Sequence, residues 1–299
     1  MGREGAKSSK SYALDQCALY RCTNKKRLFR IIQTTSAKFS TLRDAEDLYK
    51  PIKKKKKNGE TRIVYAPRYD LKRIQRRVSE LLMRLTPPSF LMSPVRRRSN
   101  IDNASAHIYS SAHRLLDIAD FYPNCTASKV AWFFVSVLQC APDIVAILVW
   151  LTTRNGALPQ GSPSSPILAY FAYEEMWSEI ASITSKSGNI LTVYVDDVTV
   201  SGERVLGSTI WQVKSVLRKH GHKAKDSKEE ARLQRPVVVT GVVLNDCKLL
   251  LPNSQHKRRH ELRKQLEGMP LGLERQRLEA ILAGHDETAR QIGLKSEQF

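Results

Sequence analysis

Apolar and polar positions along this chain switch between a helical period, a strand period and no period at all, and the switches mark its elements. Between residues 11 and 48 apolar residues recur at helical spacing, as in Leu28, Phe29, Ile31 and Ile32 and then Leu42, Ala45 and Leu48, so this stretch reads mostly as helix. Lys53 to Lys57 and Thr61 to Tyr65 flank Asn58-Gly59, a β-hairpin signal, and Pro67 ends the second strand. Leu71, Ile74, Val78, Leu81 and Leu82 fall on one face of a helix predicted over 70–85, with Lys72, Arg73, Arg76 and Arg77 on the other. Residues 94–110 are basic and polar without a period and read as irregular. Leu115 to Ile118 reads as a short buried strand, and 126–151 as two helices divided near Pro142. The Gly-, Pro- and Ser-rich stretch 154–166 reads as a loop that opens a helix over 167–183. Ile190 to Val200 is an apolar run interrupted by two carboxylates, and it reads as a hairpin. An amphipathic helix over 207–220, two short strands within 237–251 and a basic helical tail from Ser254 complete the pattern, and residues 1–10 read as flexible.

Composition narrows the class. The chain has 299 residues, enough for one large core or two to three small ones, with no internal repeat and no long linker. Lys+Arg 49 against Asp+Glu 29 gives +20, an excess that points to a polyanionic partner, nucleic acid before an acidic membrane. No stretch reaches the ~18 apolar residues of a membrane span, because Val130 to Leu151 is broken by Ser136, Gln139, Pro142 and Asp143. The polar start is read neither as a signal peptide nor as a myristoylation site. Cys17, Cys22, Cys125, Cys140 and Cys247 form no CxxC pair, so neither a zinc site nor a disulfide framework is expected. Reduced thiols in the cytoplasm fit this usage.

The candidate chemistry lies in Tyr194-Val195-Asp196-Asp197. Two adjacent carboxylates at a hairpin tip repel each other and lose hydration, a cost that divalent cations would remove. Asp117, at the C-terminal end of the strand in Leu115-Leu-Asp-Ile-Ala-Asp-Phe-Tyr122, supplies a third carboxylate. Strand alternation makes Asp196 the expected partner of Asp117, with Asp197 completing the site from the turn. Three carboxylates can hold two Mg²⁺ ions about 3.5–4 Å apart, with Mn²⁺ as the alternative. A turn-forming Asp-Asp and a capping or salt-bridged Asp117 are the plainer alternatives.

With these residues in order, the chain resembles the reverse transcriptases. The aspartate strand, the loop Leu158-Pro-Gln-Gly-Ser-Pro-Ser-Ser-Pro166 and the Tyr194 to Asp197 hairpin follow the family's sequence of motifs, and residues 45 to 250 keep its order. The resemblance implies an α+β, right-hand polymerase fold with fingers, an antiparallel-sheet palm and a small helical thumb. Its expected limits are an N-terminal helical segment 1–44, fingers 45–112, palm 113–238, and connection and thumb 239–299. It makes Asp117, Asp196 and Asp197 the metal ligands and places Arg62, Ile118, Tyr122 and Gln160 at the incoming nucleotide. Tyr122 would be a steric gate against a 2′-OH, with core packing as the alternative. Gln160 would contact the nucleotide, or only bond within its loop, and Arg62 would clamp the triphosphate. Lys228 would protonate the leaving pyrophosphate, with Lys225 competing for that role and a plain surface position as the alternative for Lys228.

Two further motifs resemble those of bacterial retron reverse transcriptases: Asn103-Ala-Ser-Ala-His107 and Val239-Thr240-Gly241. Asn103 and His107 would touch RNA or order the insertion, and packing is the expected role for His107. Val239, Thr240 and Gly241 would recognise RNA, and Lys257, Arg258, Arg259 and Arg263 would track a duplex through its phosphates. The resemblance implies a cognate structured noncoding RNA copied from a 2′-OH primer into branched RNA-linked DNA. It also implies dNTP substrates, an effector protein, no membrane partner, a bacterial cytoplasmic location and a role in anti-phage defence. Val195 stands where most retron enzymes have Ala and would add bulk near the primer terminus. Two other readings remain. One is a group II intron-like enzyme, disfavoured by the short stretch after the thumb. The other is a nucleic-acid scaffold without polymerase activity.

Overall fold

The computed structural model describes residues 11–55, 59, 61–234 and 236–299; the expected flexible start 1–10, and Lys56, Lys57 and Asn58 of the expected hairpin, lie outside the described residues. The N-terminal region is less helical than its spacing predicts. It forms α1 (Lys25–Ile31) and α2 (Ser36–Arg43), each started by a side-chain cap, Asn24 and Thr35, that accepts a backbone N–H. Before them, Cys17, Leu19 and Cys22 enter the core as turns. Strands β1 (Tyr49–Lys55) and β2 (Thr61–Pro67) pair antiparallel from Tyr49↔Pro67 to Lys55↔Thr61. Only Tyr49 in β1 and Val64 and Pro67 in β2 are buried, so the hairpin is rooted at one end and projects at the other. Helix α3 (Tyr69–Leu82) buries its predicted apolar face and, unpredicted, Gln75 with it.

The central sheet begins with β3 (Leu91–Ser93), and α4 (Asn100–Ser105) follows it. Helix α4 breaks the expected irregular stretch 94–110. A capping box between Ser99 and Asp102 starts it, and Ile101 and Ala104 are too few to set an apolar period. Then come β4 (Ala112–Asp117), α5 (Phe121–Asn124) and α6 (Ala127–Trp132), which continues into a π-helical turn at 133–137. Helix α7 (Pro142–Thr152) carries Pro142 in its first turn, where a missing N–H costs nothing. The single helix predicted over 167–183 is two, α8 (Ser165–Ala172) and α9 (Glu174–Lys186), divided at Tyr173. The Tyr173 hydroxyl donates to the Asn124 carbonyl at 2.8 Å and accepts the Thr126 N–H at 3.2 Å, which fixes the break. Strands β5 (Ile190–Tyr194) and β6 (Asp197–Gly202), helix α10 (Gly207–Lys219) and strand β7 (Glu230–Leu233) complete the unit. The five strands lie in the order β3-β5-β6-β4-β7, antiparallel except for the parallel pair β3–β5. Strand β7 was not predicted; all four of its residues are exposed, so it has no alternation to read.

The predicted two strands within 237–251 are three: β8 (Val237–Val239), β9 (Val242–Asn245) and β10 (Lys248–Leu250). Their two-residue turns, Thr240-Gly241 and Asp246-Cys247, have positive φ at both positions, the hairpin geometry that matches strand twist. The basic tail folds back as α11 (Asn253–Leu266) and α12 (Leu273–Ser296). This end has its own apolar cluster, Val237, Val239, Val242, Leu244, Leu249, Leu251 and Ile292, joined by Ile101, Ala104 and Ile108 around α4. The architecture is the expected α+β one. The expected limits shift locally: β3, inside the 45–112 unit, is hydrogen-bonded into the central sheet, and a boundary at 238/239 would cut β8. Among the described residues no helix is long and apolar enough to cross a membrane.

Candidate active site

The site is built on the middle of the central sheet. Strands β4 and β6 run antiparallel in a register that sets Asp117 directly opposite Asp197. Asp197 also faces Tyr194 across the β5–β6 hairpin, so it opens β6 as a strand residue. This reverses the predicted placement: Val195 and Asp196 form the two-residue turn, and Asp196 is the carboxylate that comes from it. The alternation rule fails because Val195 adopts φ 62, a left-handed conformation that a β-branched residue rarely takes. Such strain persists only where the surroundings impose it. Here the Asp196 carbonyl accepts the Ile118 N–H at 3.0 Å, which ties the turn to the end of β4.

Two lysines flank the carboxylates. Lys225 Nζ lies 2.8 Å from Asp117 Oδ1, and Lys228 Nζ donates to Asp117 Oδ2 at 2.5 Å. The Lys225 N–H donates to the Asp117 carbonyl and the Ala119 N–H to the Lys223 carbonyl, so the lysine segment is laced to the β4 end. Burial pushes the Asp117 carboxyl up, but the bonds and charges of Lys225 and Lys228 outweigh it and hold the group below its usual range. Burial and the Asp117 charge raise Asp196. Burial, then repulsion from Asp196 and Asp117, pushes Asp197 up to about 6. The bond to Asp117 raises Lys228. Lys225 and Lys228 also act on Asp196 and Asp197 through their charge, but there burial and repulsion outweigh them.

Among the described residues no three His, Cys, Asp or Glu side chains form a ready-made metal cage. Lys225 and Lys228 each lie within ion-pair distance of one Asp117 oxygen. The donor set is all carboxylate oxygen, and burial and mutual repulsion raise two of its members, which fits hard divalent cations. A cavity of about 330 Å³ adjoins the site, lined by Asp117, Asp197, Lys228, Val238 and Thr240 among others.

Tyr122 is the second residue of the short α5, which the αL residue Asp120 precedes as its N-cap, and is half-buried. Burial, then the charge of Asp196, pushes its phenol up, and its ring packs against that of Phe121 with centroids 5.7 Å apart. Ile118 is fully buried, so its side chain has no surface for the expected nucleotide contact. Gln160 is half-buried in the loop before α8. That loop touches β2 at Gly161, whose φ is 127; a Cβ there would stand 2.8 Å from the Tyr65 carbonyl and 2.9 Å from Val64 Cγ1. Only glycine lets the loop come so close. Arg62 is exposed on β2 with Lys54 directly across on β1, a like-charged pair that costs stability without an anion.

The expected RNA-binding residues divide. Asn103 and His107 are buried, at 1% and 0% exposure, so neither side chain presents a surface to RNA; both take the packing alternative, the role expected for His107. Asn103 Nδ2 donates to Thr240 Oγ1 at 3.1 Å, and the Asn100 amide donates to the Thr240 carbonyl at 3.1 Å. The two short motifs thus bind each other. Val239 is fully buried, while Thr240 and Gly241 keep partial exposure at the turn. On α11, Arg259 and Arg263 both pair with Asp286 of α12, at 2.6 and 3.0 Å, and Arg258 pairs with Glu261 at 3.8 Å. Lys257 is exposed. The spacing gave no sign of Gln75, which reaches this region from α3, because its partners come from three distant segments.

Comparison with known proteins adds an independent line. Residues 52–244 match the family model described as reverse transcriptase (RNA-dependent DNA polymerase). Retron Ec86 reverse transcriptase of Escherichia coli is 32% identical over 153 residues, 51% of this chain and 48% of that protein. Retron Mx65 reverse transcriptase of Myxococcus xanthus is 26% identical over 256 residues, 76% of this chain and 58% of that protein. The chain thus spans about half the length of these curated relatives. Among solved structures, a telomerase from Candida albicans in complex with a telomeric RNA fragment superposes with a TM-score of 0.51. That match covers 83% of this chain and 54% of that one at 12% identity, a likeness of fold alone.

Proposed function

The chain belongs to the reverse transcriptase (RNA-dependent DNA polymerase) family, and from that membership we propose that it is an RNA-directed DNA polymerase of the retron type. The observation that carries the reading is the register of β4 and β6, which sets Asp117 against Asp197 with Asp196 in the adjoining turn. In this reading the protein copies a cognate structured noncoding RNA, starting from a 2′-OH, and leaves DNA joined to that RNA. An effector protein, anti-phage defence and a bacterial cytoplasmic setting belong to the same proposal. The similarity to two retron enzymes and the Asn103–Thr240 clasp between the two retron-like motifs support the subtype.

Asp117, Asp196 and Asp197 would hold two divalent cations, Mg²⁺ by preference and Mn²⁺ as the alternative. Once bound, the ions would lower the pKa of the primer hydroxyl and neutralise the triphosphate. Lys225 and Lys228 keep Asp117 ionised in their absence, and Lys228, freed from Asp117, stands within the site as a proton donor to pyrophosphate. Tyr122, half-buried five residues beyond Asp117, would meet the sugar of the incoming dNTP and exclude a 2′-OH. Gln160 and Arg62 approach from the loop and hairpin that meet at Gly161, Arg62 as a bidentate phosphate donor.

The test is incubation of the protein with its co-transcribed RNA, dNTPs and Mg²⁺. The expected product is DNA covalently joined to RNA, absent from the Asp196→Ala, Asp197→Ala double variant. Losing the whole carboxylate pair should cost at least about 10³-fold in rate. Extension by the double variant at the wild-type rate would remove the site assignment.

A further inference from the structure

Gln75 sits in the middle of α3 with no exposed surface, among inward-facing Leu71, Ile74, Val78 and Leu82. A primary amide in such a place costs stability unless its polar groups are paired. Nε2 donates to the Tyr49 hydroxyl at 2.9 Å and to the Leu151 carbonyl at 2.8 Å, and Oε1 accepts from the Ser162 hydroxyl at 2.7 Å. Tyr49 is the first residue of β1 and the anchored end of the projecting hairpin. Ser162 follows Gln160 and Gly161 in the nucleotide loop, and Leu151 lies at the end of α7. One side chain therefore touches the hairpin root, the loop and a core helix.

The surrounding bonds stiffen both ends of this link. Ser162 Oγ lies 3.0 Å from Ser164 Oγ and accepts the Ser164 N–H at 3.3 Å, while Ser165 donates to the Pro159 carbonyl at 2.8 Å. The loop is thus closed on itself around Gln160. At the hairpin root, the Arg154 guanidinium stands 3.7 Å over the Tyr65 ring and 5.7 Å from the Tyr49 ring centre. Together with the Gly161–Tyr65 contact, the loop and the root of the hairpin behave as one body. An apolar side chain would fill the space as well as the amide does, but it would make none of these links.

We propose that Gln75 is a positioning residue that fixes the Leu158–Gly161 loop against the root of the β1–β2 hairpin, so that Gln160 and the hairpin cations meet one triphosphate in a set geometry. This rests on the polymerase reading. Gln75 itself touches no substrate, so its loss acts on nucleotide capture and leaves the carboxylate chemistry in place.

The experiment is steady-state extension of a DNA primer on a generic RNA template, with the dNTP varied. Removing a buried link of this kind should raise KM for dNTP about tenfold in Gln75→Leu, with kcat within about twofold. Tyr49→Phe and Ser162→Ala each cut one arm of the link, and through a shared Gln75 their KM effects fall short of multiplying in the double variant. Unchanged KM in Gln75→Leu, a loss confined to kcat, or fully multiplicative single-arm effects would overturn the proposal. If Gln75→Leu fails to fold, shown by its melting curve, the single-arm pair decides alone. A wild-type protein that extends neither this primer nor its co-transcribed RNA would instead overturn the polymerase reading itself.

Discussion

His107 has both ring nitrogens committed inside the protein. Nδ1 lies 2.6 Å from the Ser201 hydroxyl on β6 and Nε2 2.7 Å from the Thr192 hydroxyl on β5, with the ring at 0% exposure. Burial, aided by the charge of His113, depresses its pKa from 6.5 to about 3. A proton therefore binds the unfolded chain more readily than the folded one between these values. Stability from this residue is complete above about pH 6.5 and is lost as pH falls towards 3, at up to about 1.4 kcal/mol per pH unit. His222, buried against Phe121 and Tyr173 and depressed to about 4, adds a slope of the same sign. Asp197, raised to about 6, opposes them below that pH. The comparison of wild type with His107→Gln isolates the first effect: urea midpoints measured from pH 7 to about 4 should fall less steeply in the variant. Parallel curves would show that His107 does not titrate across this range.

At the scale of elements, α4 is a strut between the two sheets. Its C-terminal neighbour His107 reaches the β5–β6 hairpin that carries Asp196 and Asp197, and its Asn100 and Asn103 grip the Thr240 turn of the β8–β9 hairpin. Thr240 itself has φ 44, an unfavourable conformation for a β-branched residue, and its hydroxyl repays this by accepting from Asn103 and donating to the Asn100 carbonyl. Asn103→Ala and Thr240→Val should each destabilise the protein, and their double variant should lose about 0.5–1.5 kcal/mol less than the sum. Additive losses in urea unfolding would mean that the two side chains act independently. This element also shows where the sequence was legible. The family to which the chain belongs was, because its motifs are each carried within a few consecutive residues, and the long amphipathic faces of α3 and α10 were, because burial repeats along them. Helix α4 was not, having two apolar anchors and a cap in place of a period. The order of Asp196 and Asp197 was not either, because the φ of Val195 ends the strand period one residue before the pattern does. The Gln75 link joins residues 26, 76 and 87 positions apart, beyond any local pattern.

For the whole molecule, a net charge of +20 points to a polyanionic partner but not to the cations that would meet it. The structure sorts them. Lys50, Lys53, Lys54, Lys55 and Arg62 are exposed on the projecting hairpin. In the thumb-like pair α11–α12, Arg259 and Arg263 are spent on Asp286, and holding the two helices together is their first task. Counting basic residues on α11 therefore overstates its reach for phosphate. Binding of an RNA–DNA hybrid should weaken linearly on a log–log plot against salt, each phosphate contact contributing a slope of about −0.7 to −0.9. Lys257→Ala, at an exposed position, should make that slope shallower by about one contact while leaving the melting temperature in place. Arg259→Ala should do the reverse, lowering the melting temperature by loosening α11 from α12 with little change in slope. Fluorescence anisotropy across a KCl series, paired with thermal melts, reads both quantities. Equal slope changes in the two variants would show that Asp286 releases Arg259 to the nucleic acid on binding.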